Sequence, residues 1–157
     1  MNLRFRPSAL LLLPLPLLLT FCTPLHAFSS DENLPDAQTL IRLELQAQEA
    51  KPREQCFLYA ELVHTMTEIA GKQMLNGDVD QASATLKKVE HYAQLIHLGL
   101  AHDTKRLKNA ELLMHHTTYR LGEYLHQASG EDQATLQATL KQLDHVQNEL
   151  LTQVFNH

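Results

Sequence analysis

VDQASATLKKVEHYAQLIHLGLAHDTKRLKNAELLMHHTTYRLGEYLHQA, residues 79–128, is the stretch whose reading decides the fold. Within it Ala82, Leu86, Val89, Ala93, Ile96, Leu100, Asp103, Leu107, Ala110, Met114, Thr117, Leu121, Tyr124 and Ala128 follow one another at alternating spacings of 4 and 3. Only Asp103 and Thr117 interrupt the apolar run. Apolar residues at that spacing line one side of a helix and form the seam of a coiled coil. A loop usually resets such a phase, so its persistence favours one continuous helix over about 79–128, roughly 70 Å long at ~1.5 Å per residue. A rival reading breaks the helix at Gly99–Asp103, with Asp103 as a cap. It places Lys105, Arg106 and Lys108 in a first turn, where the helix dipole disfavours cations.

Working outward, helix signals continue on both sides. Pro35 suits a first turn, and Pro52 ends a helix that runs to Ala50. A second helix spans about 53–75. At Asn76-Gly77-Asp78, Gly77 can take a left-handed C-terminal position and Asp78 can cap the next helix. Ser129-Gly130-Glu131-Asp132 is a second break of this kind, and a last helix follows to about Phe155. Beta-branched residues are scattered and no strand alternation appears, while Ala, Leu, Gln, Glu and Lys dominate. The last helix carries Leu136, Leu140, Leu143, Gln147, Leu150 and Val154 on one stripe, and the second carries Tyr59, Leu62, Met66 and Ile69. Such narrow stripes suit antiparallel coiled-coil packing better than a thick core. The expected fold is an all-α, elongated helical bundle of antiparallel coiled-coil hairpins around the long central helix. Its structural seam is expected at Leu86, Val89, Ile96, Leu107, Met114, Leu121, Leu140, Leu143 and Leu150.

An internal echo points to two related halves. Residues 84–91, ATLKKVEH, return as residues 138–145, ATLKQLDH, with five of eight positions identical and a spacing of 54. Each copy follows a turn of Gly plus acid. Two helical hairpins, 53–98 and 104–155, within one helical domain over 34–157, account for this.

The first hairpin resembles a tetratricopeptide repeat. Gly77-Asp78-Val79-Asp80-Gln81-Ala82 matches that family's turn and second-helix start, and Ala70 and Leu86 fall at its small and large positions. The likeness covers about residues 60–93. Gln73 stands where an aromatic is usual, Gln94 where proline closes the unit, and the spacing of 54 departs from the family's 34. The resemblance implies a shared hairpin geometry and a role in protein binding.

Residues 1–27 read as a secretory signal peptide. Arg4 and Arg6 precede a short apolar run over Ala9–Leu19, and Ala27 supplies a small residue at the cut. The run is short of the ~20 residues a membrane span needs, and it contains Pro14 and Pro16. The mature chain is thus expected in the periplasm or secreted, beginning with a polar lead-in over 28–33. Cleavage removes Arg4 and Arg6 from 13 basic residues and none of the 18 acidic ones, leaving a net charge of −7. An acidic chain without a basic stripe is a poor nucleic-acid binder. Cys56 becomes the only mature cysteine, which excludes an internal disulfide, and it falls at the edge of an apolar face, where a buried inert thiol is expected. Membrane attachment would need lipidation of Cys22, for which the bulky Phe21 before it is ill suited.

The histidines are the one unusual component, with nine in the mature chain. Glu61…His64 and Glu123…His126, with Glu44 and Glu90, match in order the ligand set of di-iron bundles. On a helical wheel, however, both motifs face away from the main seam. A surface metal site is less demanding. Glu111 and His115, at i and i+4, can hold zinc or copper with help from a second chain, and His116, Glu123 and His126 lie on or beside the same face. Otherwise no cofactor is expected. Protonating nine imidazoles would also carry the net charge to about +2, which offers a pH response. The same face carries the off-seam apolar residues Leu112 and Tyr119, and the earlier half carries Leu95 and Leu98. These mark a second packing surface that suits a homodimer, with cover by helix 1 as the competing explanation for Leu95 and Leu98. No Gly-rich phosphate loop, nucleophile elbow or Cys-x-x-Cys occurs. The expected function is therefore non-enzymatic: an exported, self-associating helical module that binds a protein partner, with a His-rich metal-binding or pH-responsive protein as the alternative.

Overall fold

A computed structural model describes residues 37–100, 104–128 and 130–156. The leader, Cys22, the lead-in 28–33 and Asp103 lie outside the described residues. Five helices account for nearly all of the described chain: α1 Ala37–Glu49, α2 Pro52–Leu75, α3 Val79–Gly99, α4 Leu107–Gln127 and α5 Glu131–Asn156. The protein is an all-α helical bundle, and no strand occurs among the described residues.

The turn between α2 and α3 follows from Gly77. Its φ of +82° is left-handed, and its N–H bonds to the Met74 carbonyl at 3.0 Å while that of Asp78 bonds to Gln73 at 2.8 Å. This is the Schellman closure of a helix C-terminus. Asp78 occupies the cap position of α3, but its side chain makes no capping bond. Gly130 repeats the positive φ, at +64°, just before α5.

The continuous helix over 79–128 does not form. α3 ends at Gly99 and α4 starts at Leu107. The intervening residues 100–106 number seven, one heptad, so the seam keeps its phase from one helix to the next. Tertiary contacts outweigh the dipole objection to this break. The Lys105 N–H bonds to the Arg53 carbonyl at 2.7 Å, and the Lys105 ammonium lies 3.3 Å from Glu54. Arg106 takes a left-handed φ of +58°, with its guanidinium 3.4 Å above the Phe57 ring. The residues that lead into α4 are thereby tied to the start of α2, and Lys105 and Arg106 stay outside the helix.

α2 packs against α1, α3 and α4, while α5 packs against α3 and α4. Among the described residues α3 and α4 do not pack on each other. Going round the four longer helices, the order is α2, α3, α5, α4. α2 and α4 run parallel: Arg53 meets Lys105, His64 meets Thr117 and Glu68 meets Arg120. α3 and α5 are parallel too, with Glu90 beside Thr139 and Gln142 and His97 beside Glu149. Each helix of the first hairpin thus lies alongside its counterpart in the second.

Because three helices surround α2, its buried surface is far wider than the stripe of Tyr59, Leu62, Met66 and Ile69. Cys56 to Ala60, Val63, Thr67, Ala70 and Gly71 are buried as well. Fully burying side chains such as Leu62 or Met66 contributes about 2 kcal/mol each. On α3 and α4 the expected seam residues Leu86, Val89, Ile96, Met114 and Leu121 are fully buried, and Leu107 is half-buried. In α5 the buried set is Leu136, Thr139, Leu143, Val146 and Leu150, so Thr139 and Val146 replace the expected Leu140 and Gln147. The Thr139 hydroxyl donates to Glu90 at 2.8 Å, and the Gln147 amide oxygen accepts from Thr118 at 2.7 Å. α1 lies on α2 and reaches α3 through Tyr92, whose hydroxyl donates to Glu44 at 3.2 Å. It does not cover Leu98, which is 60 % exposed.

Candidate functional site

Two lateral faces of the bundle carry distinctive side chains. On the α2/α4 face, Phe57 and Glu61 of α2 meet Leu112, Leu113, His116 and Tyr119 of α4 around a groove of about 690 Å³. Leu112 and Tyr119 are each 64 % exposed, far more than a large apolar residue in a core. Burial pushes the Glu61 carboxyl above the ordinary carboxylate range, and the Arg106 charge only partly opposes it. Phe57, Leu112, Leu113 and Tyr119 give the groove an apolar wall, and Glu61, His115 and His116 line it beside them.

Farther along the same two helices lies a polar tie. Arg120 donates to both oxygens of Glu68, at 3.0 and 3.1 Å, and to Glu123 at 2.7 Å. The Tyr124 hydroxyl accepts from Arg120 at 2.9 Å and donates to Glu68 at 2.8 Å. Burial raises the Glu68 carboxyl, but hydrogen bonds from Arg120 and Tyr124 and the Arg120 charge together outweigh it and hold its pKa below the usual value. Tyr124 is pushed up to about 12 by burial and by its bond to Glu68. Gly71 makes this arrangement possible, because a Cβ at that position would overlap the Tyr124 ring.

The histidines and carboxylates singled out in the sequence scatter over several neighbours. His115 shares a 2.8 Å hydrogen bond with Gln147 of α5. The His116 ring lies 5.3 Å from that of His64, and His64 itself is 3.0 Å from the Thr117 hydroxyl. Glu123 is held by Arg120, Glu111 is half-buried along α4, and His126 is exposed in its last turn. Among the described residues these five do not form a ligand cluster. Of the four di-iron carboxylates, Glu44 binds Tyr92 and Glu90 binds Thr139, on different sides of α3. The wheel placed His64 away from the seam; in the bundle that side of α2 is covered by α4. Cys56 is fully buried, and burial pushes its thiol up to about 12, leaving it a poor nucleophile.

The α3/α5 face holds a group that sequence spacing passed over. His97 Nδ1 lies 2.7 Å from Glu149 Oε2, and His145 Nε2 lies 3.4 Å from Glu149 Oε1. The two imidazole centroids are 6.1 Å apart. His145 and Glu149 stand at i and i+4 and are visible as a pair in the sequence. His97 joins them only because α3 and α5 are parallel with partners 52 residues apart, close to the spacing of the internal echo. Comparison of the chain with protein-family models, curated proteins and solved structures finds no match.

Proposed function

We propose that this protein is an exported, non-enzymatic helical interaction module that self-associates through its α2/α4 face. The observation that carries the reading is the exposure of Leu112 and Tyr119 beside an apolar groove, at 64 % each. They stand at i and i+7 and so share one side of α4. A twofold axis across this side brings each Leu112 toward the partner copy's Tyr119, a self-complementary contact of the isologous kind. The exported chain carries a formal net charge of −7, with 11 basic and 18 acidic residues, so contact between two copies has to offset a net repulsion. Phe57 and Leu113 beside Leu112 and Tyr119 supply apolar area for it.

Light scattering after size exclusion tests this on the full chain purified from an exporting host. The expected result is a dimer that dissociates in the Leu112→Glu/Tyr119→Glu variant. A monomeric wild type at all accessible concentrations overturns self-association, and a variant that stays dimeric overturns the assignment of this face. Recovery of the chain with its N-terminus at Phe28 is expected from leader cleavage, and a retained leader contradicts the export reading.

A further inference from the structure

We propose that His97, His145 and Glu149 form a binding site for a divalent transition-metal ion of the zinc type, on the face opposite the docking groove. Two imidazole nitrogens and a carboxylate are the ligand set that borderline dications prefer, and three protein ligands with an open position are common in exchangeable zinc sites. All three ligand atoms lie within 4.8 Å of one another. Both carboxylate oxygens are turned toward imidazole nitrogens, Nδ1 of His97 and Nε2 of His145. A dication seated among them replaces these direct contacts with coordination to all three side chains. Small side-chain rotations bring all three atoms to the ~2.0–2.2 Å of zinc coordination.

The backbone beneath the cluster is fixed. His97 follows Ile96, His145 precedes Val146 and Glu149 precedes Leu150, and these neighbours are exposed by 0 %, 2 % and 0 %. Each ligand therefore projects from a helix position whose adjacent residue is locked in the core. Ligand placement does not await folding of a loop, which lowers the ordering cost of binding. An open cavity of about 490 Å³ adjoins the cluster, and Asn148, Thr152 and Gln153 on its wall offer neutral polar groups to a metal-bound water. None of the three ligands belongs to the α2/α4 face, so this proposal and the docking reading fail independently.

Zinc titration of the metal-stripped full chain against a chromophoric chelator, with calorimetry for stoichiometry, tests the assignment. One equivalent is expected to bind. His97→Ala and Glu149→Gln should each weaken it by about tenfold or more, with helical circular dichroism unchanged because His97 is exposed and Glu149, though half-buried, keeps its shape as Gln. The variant His115→Ala/His116→Ala is the control and should bind as the wild type does. Absence of stoichiometric zinc binding overturns the site. So does binding that survives His97→Ala, and so does binding that is lost in the control but kept in His97→Ala.

Discussion

Gly71→Ala is a small change with a large expected cost. Gly71 is buried in α2, and an added Cβ would fall within the Tyr124 ring, against Cζ and both Cε atoms. The ring cannot swing aside freely. Tyr124 is only 6 % exposed, and its hydroxyl is fixed between Arg120 and Glu68 at 2.9 and 2.8 Å. Displacing it forfeits two hydrogen bonds to charged groups, each contributing about 1.5–3 kcal/mol, with the lower end apt because Arg120 is partly solvated. Overpacking adds about 1 kcal/mol or more. Alanine returns about 1 kcal/mol through its better helix propensity. The net loss is about 3–4 kcal/mol, or a fall in Tm of about 12–16 °C for a domain of this size. Thermal unfolding followed at 222 nm measures it. A double-mutant cycle isolates the cause: in a Tyr124→Ala background, Gly71→Ala should be neutral or mildly stabilising. A single variant that melts at or above the wild-type temperature would refute the reasoning.

Leu86→Asp puts an unpaired charge at a fully buried position of α3. Its cost of several kcal/mol is comparable to the stability of a small domain, so cooperative unfolding should disappear, whereas Leu140→Asp, at a half-buried position of α5, should only lower the melting temperature. Equal melting of Leu86→Asp and the wild type would remove Leu86 from the core. The Glu68 carboxyl has its pKa lowered in the folded state, chiefly through Arg120 and Tyr124 acting against burial. Its stabilising contribution is therefore complete above the unfolded value of about 4.3 and is lost as pH falls toward the folded one. Urea unfolding between about pH 6 and pH 3 should show a steeper loss of stability for the wild type than for Glu68→Gln, and parallel curves would contradict the charge-assisted tie.

Helix content, the turns at Gly77 and Gly130 and most buried positions of α3 and α4 were legible in the sequence, because 3.6-residue periodicity and a left-handed glycine are local signals. What escaped was set by neighbours. Periodicity reports which side of a helix is apolar and not where the chain turns, so a connection of one heptad hid inside an unbroken seam. The breadth of the α2 core depended on α1, α3 and α4 all choosing that helix. Threonine is ambiguous on a wheel: Thr139 entered the core because Glu90 was there to accept its hydroxyl, and Leu140 was left at the edge. His97 and Glu149 lie 52 residues apart, and only the parallel pairing of α3 with α5 joins them.

That pairing depends on the connection 100–106. In a simple up-and-down bundle, α4 would pack antiparallel on α3, its neighbour in sequence. Here the chain crosses to the far side of α2 and places α4 beside it in parallel, so the second hairpin repeats the first by displacement. The crossing has a cost. A left-handed conformation at a residue with a Cβ, such as Arg106, is unfavourable by about 1–2 kcal/mol. The guanidinium stacked 3.4 Å from the Phe57 ring offsets about 0.5–2 kcal/mol of this, and the Lys105 N–H bond to Arg53 at 2.7 Å adds to it. The displacement then decides what each face carries. α4 beside α2 brings Leu112 and Tyr119 to the groove at Phe57. α5 beside α3 brings Glu149 to His97. An antiparallel α3–α4 contact would separate both sets, so the proposed interaction face and the proposed metal site have a common origin in how Lys105 and Arg106 grip the start of α2.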